Sequence, residues 1–208
     1  MASPTTIYLV RHGETDWNVQ RKYQGSTDIP LNALGREQAA TLGAWLAADA
    51  TRFPGTAIVS SPLSRAFATA QAIADARGLA GIVPDPDVQE RSYGVAEGLT
   101  LEEREALIAT QETWEGLEPW EAVTTRAMRA LGKVLAARPG EATFVVCHGG
   151  LINAVLAELS GGELGTGKTT IINTSITTIV TNDSAAFGWE IVSYNEIPHL
   201  ELNVVPAD

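Results

Sequence analysis

The chain has 208 residues, of which 45% are apolar and 19% charged, a length and composition that predict one α/β domain rather than two. Fourteen basic residues against 25 acidic ones give a formal net charge of −11. This charge argues against binding to nucleic acid or to an anionic membrane surface. With no apolar run of 18 residues, no secretory signal pattern and one cysteine, Cys147, we expect no membrane span and a cytoplasmic location.

The N-terminal half alternates strands and helices. In chain order we predict a strand at 6–10, a helix at about 34–48, a strand at 56–60, a helix from Pro62 to about residue 76, and a strand around 82–83. A loop at 88–98 follows.

The C-terminal half first continues this alternation and then changes period. Helices are predicted near 100–109 and 119–137, a strand at 143–147 and a helix at 150–159. TTIINTSITTIV (169–180) and WEIVSY (189–194) are β-branched and aromatic, so both are predicted as strands. We therefore expect a single α/β domain over 1–208. It should be a three-layer α/β/α sandwich whose mostly parallel sheet has an antiparallel edge strand.

Histidines, arginines and a glutamate follow the predicted parallel strands, where open α/β sheets collect their ligands. In chain order they are Arg11 and His12 after the first strand, Arg65 after the second, Glu90 after the third, and His148 after TFVVC. Because the carboxyl ends of parallel strands meet at one edge of a sheet, these side chains predict one site.

The chemistry that fits these residues is phosphoryl transfer through a phosphohistidine. A neutral imidazole such as that of His12 can attack phosphorus. Neighbouring guanidinium groups lower the pKa of an imidazole and also bind phosphoryl oxygens, so no metal is required. His148 could bind these oxygens as a charged donor. A carboxyl group facing a dianionic phosphate retains its proton more readily, so Glu90 could protonate the leaving oxygen and then activate water.

The chain resembles the histidine phosphatase superfamily, also called the phosphoglycerate mutase-like family. RHGETDWN (11–18) is similar to the signature around the family's nucleophilic histidine. Further family blocks follow in the family's order: QGSTDIPLNALGREQA (24–39), SSPLSRAFATAQAIA (60–74) and VVCHGGLINAVL (145–156). The resemblance covers nearly the whole chain.

The resemblance implies a role for each matching residue. It makes His12 the phosphorylated nucleophile and Glu90 the proton donor. It places the phosphate against Arg11, Arg65 and His148. Further contacts with phosphate or substrate are expected from Asn18, Gln24, Gly25, Tyr93 and Gly149.

Departures from the mutases within the family favour a phosphatase. The lysine that mutases carry after their ERHYG block falls here on Leu101, and the segment 101–123 lacks their longer insert with a substrate-binding arginine pair. The resemblance therefore implies a metal-independent phosphomonoesterase that needs no cofactor and acts on a small phosphorylated metabolite. Its lid would lie at about 99–123. A cofactor-dependent phosphoglycerate mutase-type isomerase is the alternative, and a homodimer is possible because dimers are common in the family.

Some assignments keep two interpretations. Glu14 or Glu97 could be the acid instead of Glu90. Arg21 and Lys22 could face the mouth of the site, but we interpret them as a solvated charge pair.

A second phosphate-binding pattern lies near the C-terminus. Residues 162–169 (GELGTGKT) match G-x-x-x-x-G-K-[ST], which on its own indicates a nucleotide triphosphatase using Lys168. A P-loop follows a buried strand and opens a helix, whereas this stretch follows a predicted helix and precedes a β-branched segment. We therefore predict a connector, with Lys168 away from His12 and the chain returning to the site near Asn173.

Overall fold

The predicted strands all contribute to one six-stranded sheet. The computed structural model describes residues 3–185 and 187–201. The strands are β1 Thr6–Arg11, β2 Ala57–Ser60, β3 Val83–Pro84, β4 Ala142–Cys147, β5 Ile176–Thr181 and β6 Trp189–Glu196. Their order is β3-β2-β4-β1-β5-β6, in which β1 to β4 are parallel and β5 is antiparallel to both of its neighbours. The predicted mostly parallel sheet with an antiparallel edge is confirmed.

Helices cover both faces of this sheet. They are α1 Asp16–Val19, α2 Ala33–Ala48, α3 Ser64–Arg77, α4 Leu101–Thr110, α5 Trp120–Ala137, α6 Gly149–Leu159 and α7 Pro198–Glu201. Helices α2 and α3 pack on one face, and α5 and α6 pack on the other, as a three-layer sandwich requires. Among residues 3–185 and 187–201, no helix combines the length and apolar character needed to span a bilayer.

Strand β1 shows how the sequence builds two hydrophobic cores. Successive side chains of a strand point to opposite faces of the sheet. Ile7 and Leu9 pack with α5 and α6, whereas Tyr8 and Val10 pack with α2 and α3. All four side chains are buried. The carboxyl end of β1 is therefore fixed in the middle of the molecule, and the segment that follows it inherits this position.

The start of α3 differs from the prediction. Pro62 precedes the helix, which begins at Ser64. The reason is a capping contact from a distant loop, because the Asp28 carboxylate accepts hydrogen bonds from the backbone N–H and the hydroxyl of Ser64, both at 2.8 Å. A free helix N–H needs such an acceptor, and the local sequence does not contain it.

The start of β5 also differs, because the predicted strand at 169–180 begins only at Ile176. The preceding residues bind to the segment after β1 instead of entering the sheet. The Thr174 N–H donates to the Arg11 carbonyl (3.0 Å), and the Asn173 side-chain amide donates to the His12 carbonyl (2.9 Å). Thr174 takes a φ of 60°, which is rare for a β-branched residue and incompatible with a strand.

Residues 162–169 form turns between α6 and β5. Gly165 packs against Ala157 and the Asn153 carbonyl, so the chain folds back along α6. The Lys168 ammonium donates a hydrogen bond to the Gly162 carbonyl within the same stretch. Residues 169–175 that follow are not helical. This is not the strand–loop–helix context of a P-loop.

Candidate active site

A cavity of about 290 Å³ lies beside the residues that follow β1 and β4. Its lining consists of Arg11, His12, Asn18, Lys22, Tyr23, Gln24, Gly25, Arg65, Glu90, Tyr93, Gly149, Gly150, Asn153, Thr169, Thr170 and Ile171. Nine of the ten site residues predicted from the sequence belong to this lining. The tenth, His148, lies next to His12 with 5.1 Å between the ring centroids.

His12 is held in one orientation by its own backbone neighbourhood. Its N–H donates to the Cys147 carbonyl (3.1 Å), and its ring Nδ1 donates to the Gly13 carbonyl (2.7 Å). This hydrogen bond assigns the proton to Nδ1 and leaves the lone pair on Nε2. Burial lowers the pKa of His12 well below its usual value, and Arg11 and Arg65 lower it further. The ring is therefore neutral at neutral pH, which is the state in which an imidazole can act as a nucleophile.

The backbone beside His12 fits tightly against α2. A Cβ atom on Gly13 would lie 2.4 Å from the Gly35 carbonyl oxygen, and a Cβ on Gly35 would lie 2.0 Å from the Glu14 carbonyl oxygen. The Gly13 N–H donates to the Thr69 hydroxyl of α3 at 3.0 Å. The His12 loop is thus fixed between two helices at a separation that only glycine permits.

Arg11 and Arg65 bring two guanidinium groups to His12. Arg65 is fully buried and donates to the carbonyls of Gly25 (2.8 Å) and Thr27 (2.9 Å), while Arg11 donates to the Ile171 carbonyl. The Nε atoms of both arginines are buried and lack a hydrogen-bond partner among the described residues. Unsatisfied buried donors are costly, and phosphoryl oxygens are acceptors that would satisfy them.

His148 is the N-cap residue of α6 and is completely buried. Its Nε2 lies 2.8 Å from the Ser61 hydroxyl, and its Nδ1 is buried with no partner among the described residues. Burial, followed by the charge of Arg65, lowers the pKa of His148 well below its usual value. The ring is therefore neutral in the free site, whereas the sequence led us to expect a charged donor. A proton on Nδ1 still makes it a donor when Ser61 donates to Nε2.

Of the three carboxylates considered as the acid, Glu90 lies in the cavity wall. Its Oε1 accepts the Arg91 N–H (2.9 Å), and its Oε2 accepts the Gly150 N–H (3.0 Å). A Cβ on Gly150 would lie 2.4 Å from Oε1 of Glu90, so the glycine makes room for this carboxylate.

Glu97 and Glu14 hold loops instead and do not belong to the cavity lining. The Glu97 carboxylate accepts the backbone N–H groups of Ser26 (2.9 Å), Thr27 (2.9 Å) and Tyr93 (3.0 Å). Burial raises the pKa of Glu97, but its hydrogen bonds, that with the Thr27 side chain first, outweigh burial and lower the pKa overall. Glu14 accepts a hydrogen bond (2.9 Å) from the N-cap side chain of α2.

The model of the histidine phosphatase superfamily (branch 1) matches residues 7–197. The chain belongs to this superfamily. Among similar proteins, the "Uncharacterized phosphatase PhoE" of Bacillus subtilis is 42% identical over 94% of this chain and 97% of its own length. The "Metal-independent phosphoserine phosphatase" of Arabidopsis thaliana is 31% identical over 94% of this chain and 83% of its own length.

Solved structures of the histidine phosphatase superfamily share the fold. Bacillus stearothermophilus YhfR matches with a TM-score of 0.82 and 28% identity, covering 94% of this chain and 99% of its own. Relatives of this chain carry the names of both phosphatases and phosphoglycerate mutases. Membership in the superfamily therefore supports phosphatase or mutase chemistry without choosing the substrate.

The sequence interpretation missed one cationic side chain of this candidate active site. Lys22 lines the cavity, so its assignment to a solvated pair with Arg21 is wrong. Arg21, the preceding residue, is exposed and has a φ of 53°. The available signal was position, since Lys22 lies two residues before Gln24, which was already expected in the site.

The segment after α6 also contributes more than predicted. Thr169, Thr170 and Ile171 line the cavity, so the chain returns to the site before Asn173. Lys168 is not part of the lining. That Lys168 lies away from His12 stays a prediction. The described residues contain no cluster of three His, Cys, Asp or Glu side chains that could hold a metal ion.

A stack of five side chains borders the cavity and reaches into the segment predicted as a lid. The rings of Tyr23 and Tyr93 are parallel, with 4.0 Å between their centroids. The guanidinium carbon of Arg104, on α4, lies 4.7 Å from the ring centroid of Tyr23. That of Arg91 lies 5.4 Å from the ring centroid of Tyr93 and 4.2 Å from that of Trp120, on α5. The stack therefore fastens both helices of this segment to the loops of the site.

Proposed function

We propose that the protein is a metal-independent phosphomonoesterase that hydrolyses a small phosphorylated metabolite through a phosphohistidine. The observation that carries this proposal is the state of His12. Its ring is neutral, its Nδ1 proton is bound to the Gly13 carbonyl, and it borders the cavity beside two guanidinium groups. An imidazole in this state is a nucleophile, and the neighbouring charges suit a phosphate ester.

In the first half-reaction, Nε2 of His12 attacks phosphorus and the bond to the leaving oxygen breaks. Arg11 and Arg65 stabilise the charge on the phosphoryl oxygens in the transition state. Glu90, in its protonated form, transfers its proton to the leaving oxygen and releases the alcohol. The products of this step are phosphohistidine and the Glu90 carboxylate.

In the second half-reaction, water attacks the phosphohistidine. The Glu90 carboxylate takes a proton from this water, and the P–N bond breaks. Inorganic phosphate leaves, and His12 returns to its neutral form. The hydrogen bonds from Gly150 and Arg91 to the Glu90 carboxylate keep it in place for both proton transfers.

The composition of the cavity favours hydrolysis over a mutase reaction. Besides Arg11 and Arg65, Lys22 is the one cationic side chain among the described lining residues. A mutase must retain a bisphosphate intermediate, which calls for a more extensive cationic surface. Leu101, in the place of the mutases' lysine, is 42% exposed and lies outside the lining. The phosphatase names of two relatives agree with this preference.

The proposal is tested with 4-nitrophenyl phosphate in the presence of a chelator. We expect turnover to persist, and to fall by about 10³-fold or more in His12→Ala because the nucleophile is lost. Lys168→Ala is the matched control: it should retain phosphatase activity, because Lys168 lies outside the cavity lining.

Three results would contradict the proposal. One is full activity in His12→Ala, and another is loss of turnover on chelation. The third is conversion of 3- to 2-phosphoglycerate that depends on a bisphosphate primer and exceeds hydrolysis, which would assign the isomerase. Magnesium-dependent ATP turnover lost in Lys168→Ala would instead restore the nucleotide triphosphatase interpretation.

A further inference from the structure

The loop that carries Glu90 is held mainly by one arginine of α5. Apart from a 3-10 turn at Pro86–Val88, this loop has no regular secondary structure through residue 92. Its carbonyls therefore need hydrogen-bond donors from elsewhere. The guanidinium of Arg126 donates to three of them, those of Asp87 (3.0 Å), Gln89 and Glu90 (3.0 Å).

Every N–H group of Arg126 is used in this arrangement. Besides the three carbonyls, Nε and Nη2 donate to the two carboxylate oxygens of Glu118, at 2.8 and 3.0 Å. The two side chains are only 13% and 21% exposed, so the pair is largely shielded from water. A guanidinium is the one side chain with five donors in a fixed plane, and lysine cannot reproduce this set.

Glu118 extends the same frame to the other side of Glu90. Its carboxylate accepts the Ser92 N–H at 3.1 Å, and its backbone N–H donates to the Ser92 carbonyl at 3.0 Å. Its own carbonyl accepts a hydrogen bond from Nε of Arg91 at 2.7 Å. The backbone is thus tied to the Arg126–Glu118 pair before, at and after Glu90.

We propose that Arg126, oriented by Glu118, is a positioning residue for the proton transfer of Glu90. Arg126 is not part of the cavity lining, so it acts through the loop and not on the substrate. Its role is to hold the Glu90 carboxyl where the leaving oxygen departs. The inference rests on the proposed function, in which Glu90 is the proton donor.

A positioning role predicts a dependence on the leaving group. The 4-nitrophenolate ion is stable in water at neutral pH and departs without a proton, whereas an alkoxide needs one from the acid. Displacing Glu90 therefore slows the cleavage of an alkyl phosphate and spares 4-nitrophenyl phosphate. A general disturbance of the fold slows both substrates alike. The quantity to compare is kcat/KM, because it reports only the steps from substrate binding to departure of the leaving group. The later hydrolysis of the phosphohistidine does not affect it.

The experiment measures kcat/KM of Arg126→Lys on 4-nitrophenyl phosphate and on glycerol 2-phosphate. We expect a loss of about 30-fold or more on the alkyl ester and of about threefold or less on the aryl ester, within the usual size of general acid catalysis. Glu90→Gln should show the same pattern more strongly. Arg129→Lys is the matched control, because Arg129 lies on the same helix, is 55% exposed and binds the loop through the Asp87 carboxylate rather than through the backbone carbonyls. This variant should leave kcat/KM unchanged for both substrates.

The double variant Arg126→Lys/Glu90→Gln separates coupling from damage. If Arg126 acts through Glu90, the second substitution adds little on the alkyl ester. Equal losses on both esters, or full additivity, would overturn the inference while leaving the proposed function intact. Loss of the leaving-group pattern in Glu90→Gln itself would instead overturn the assignment of Glu90. Should Arg126→Lys fail to fold, Glu118→Gln carries the same test, since it removes the charge that orients Arg126.

Discussion

His12, His148 and His199 are all buried, and burial lowers the pKa of each, that of His199 to about 4. In the unfolded chain a histidine takes up its proton near pH 6.5. Below that pH the unfolded state therefore binds more protons than the folded state. The stabilising contribution of the three neutral rings is fully present above pH 6.5 and is lost as the pH falls towards the folded pKa values.

We expect the free energy of unfolding to decrease between pH 6.5 and 5, by up to about 1.4 kcal/mol per pH unit for each histidine. Urea unfolding at pH 7, 6 and 5 measures this slope. His199→Asn should reduce this slope by the contribution of one histidine, because it removes one buried ring that titrates. His199 is the suitable choice, since it is buried against Thr174 and lies outside the cavity lining. An unfolding free energy that stays constant over this range would contradict the prediction.

At the scale of secondary-structure elements, the contact between α2 and the His12 loop leaves no room for an added side-chain atom. Gly35→Ala places a Cβ 2.0 Å from a backbone oxygen of that loop, and backbone cannot rotate away as a side chain can. We expect a loss of about 1–3 kcal/mol in unfolding free energy, together with reduced kcat from a displaced His12.

Gly132→Ala on α5 is the control for this prediction. No atom lies within 4 Å of a Cβ built there, so alanine should stabilise the helix by up to about 1 kcal/mol and leave kcat unchanged. Thermal unfolding and turnover of 4-nitrophenyl phosphate measure both effects. A Gly35→Ala variant as active and stable as the Gly132→Ala variant would show that the helix contact is not needed.

The parts of the fold that could be predicted are those with a local cause. The alternation of β1 and the apolar run of β4 define the strands, and Arg11, His12 and His148 follow directly from the strand ends. The superfamily could be predicted from motifs alone. The position of Glu90 agrees with its expected role, although that role itself stays a prediction until it is tested.

The features that were missed have causes distant in the chain. Lys22 lines the cavity directly after Arg21, whose positive φ no periodicity indicates. Arg126 meets the Gln89 carbonyl across 37 residues, through the packing of α5. The late start of β5 depends on Asn173 reaching His12 across 161 residues. Tertiary hydrogen bonds of this kind override local propensity.

At the scale of the whole molecule, one sheet supports both hydrophobic clusters. β1 and β4 send alternate side chains into each of them, so neither cluster can lose its packing without disturbing the other. We therefore expect the predicted single domain to unfold in one cooperative transition. Far-UV circular dichroism and tryptophan fluorescence should give the same midpoint, and the calorimetric and van't Hoff enthalpies should agree. Two separate transitions would contradict the single domain.

The stack of five side chains beside the cavity has a consequence for the kind of ligand that can bind there. Tyr23 and Tyr93 cover one face of each other, and Arg104 and Arg91 cover the remaining faces. We therefore expect a ligand in the cavity to meet these tyrosines mainly at their ring edges. A nucleobase gains much of its affinity from an open aromatic face on which to lie. Because the two tyrosines stack on each other and each also lies against an arginine, we expect neither ring to offer an open face to a flat heterocycle.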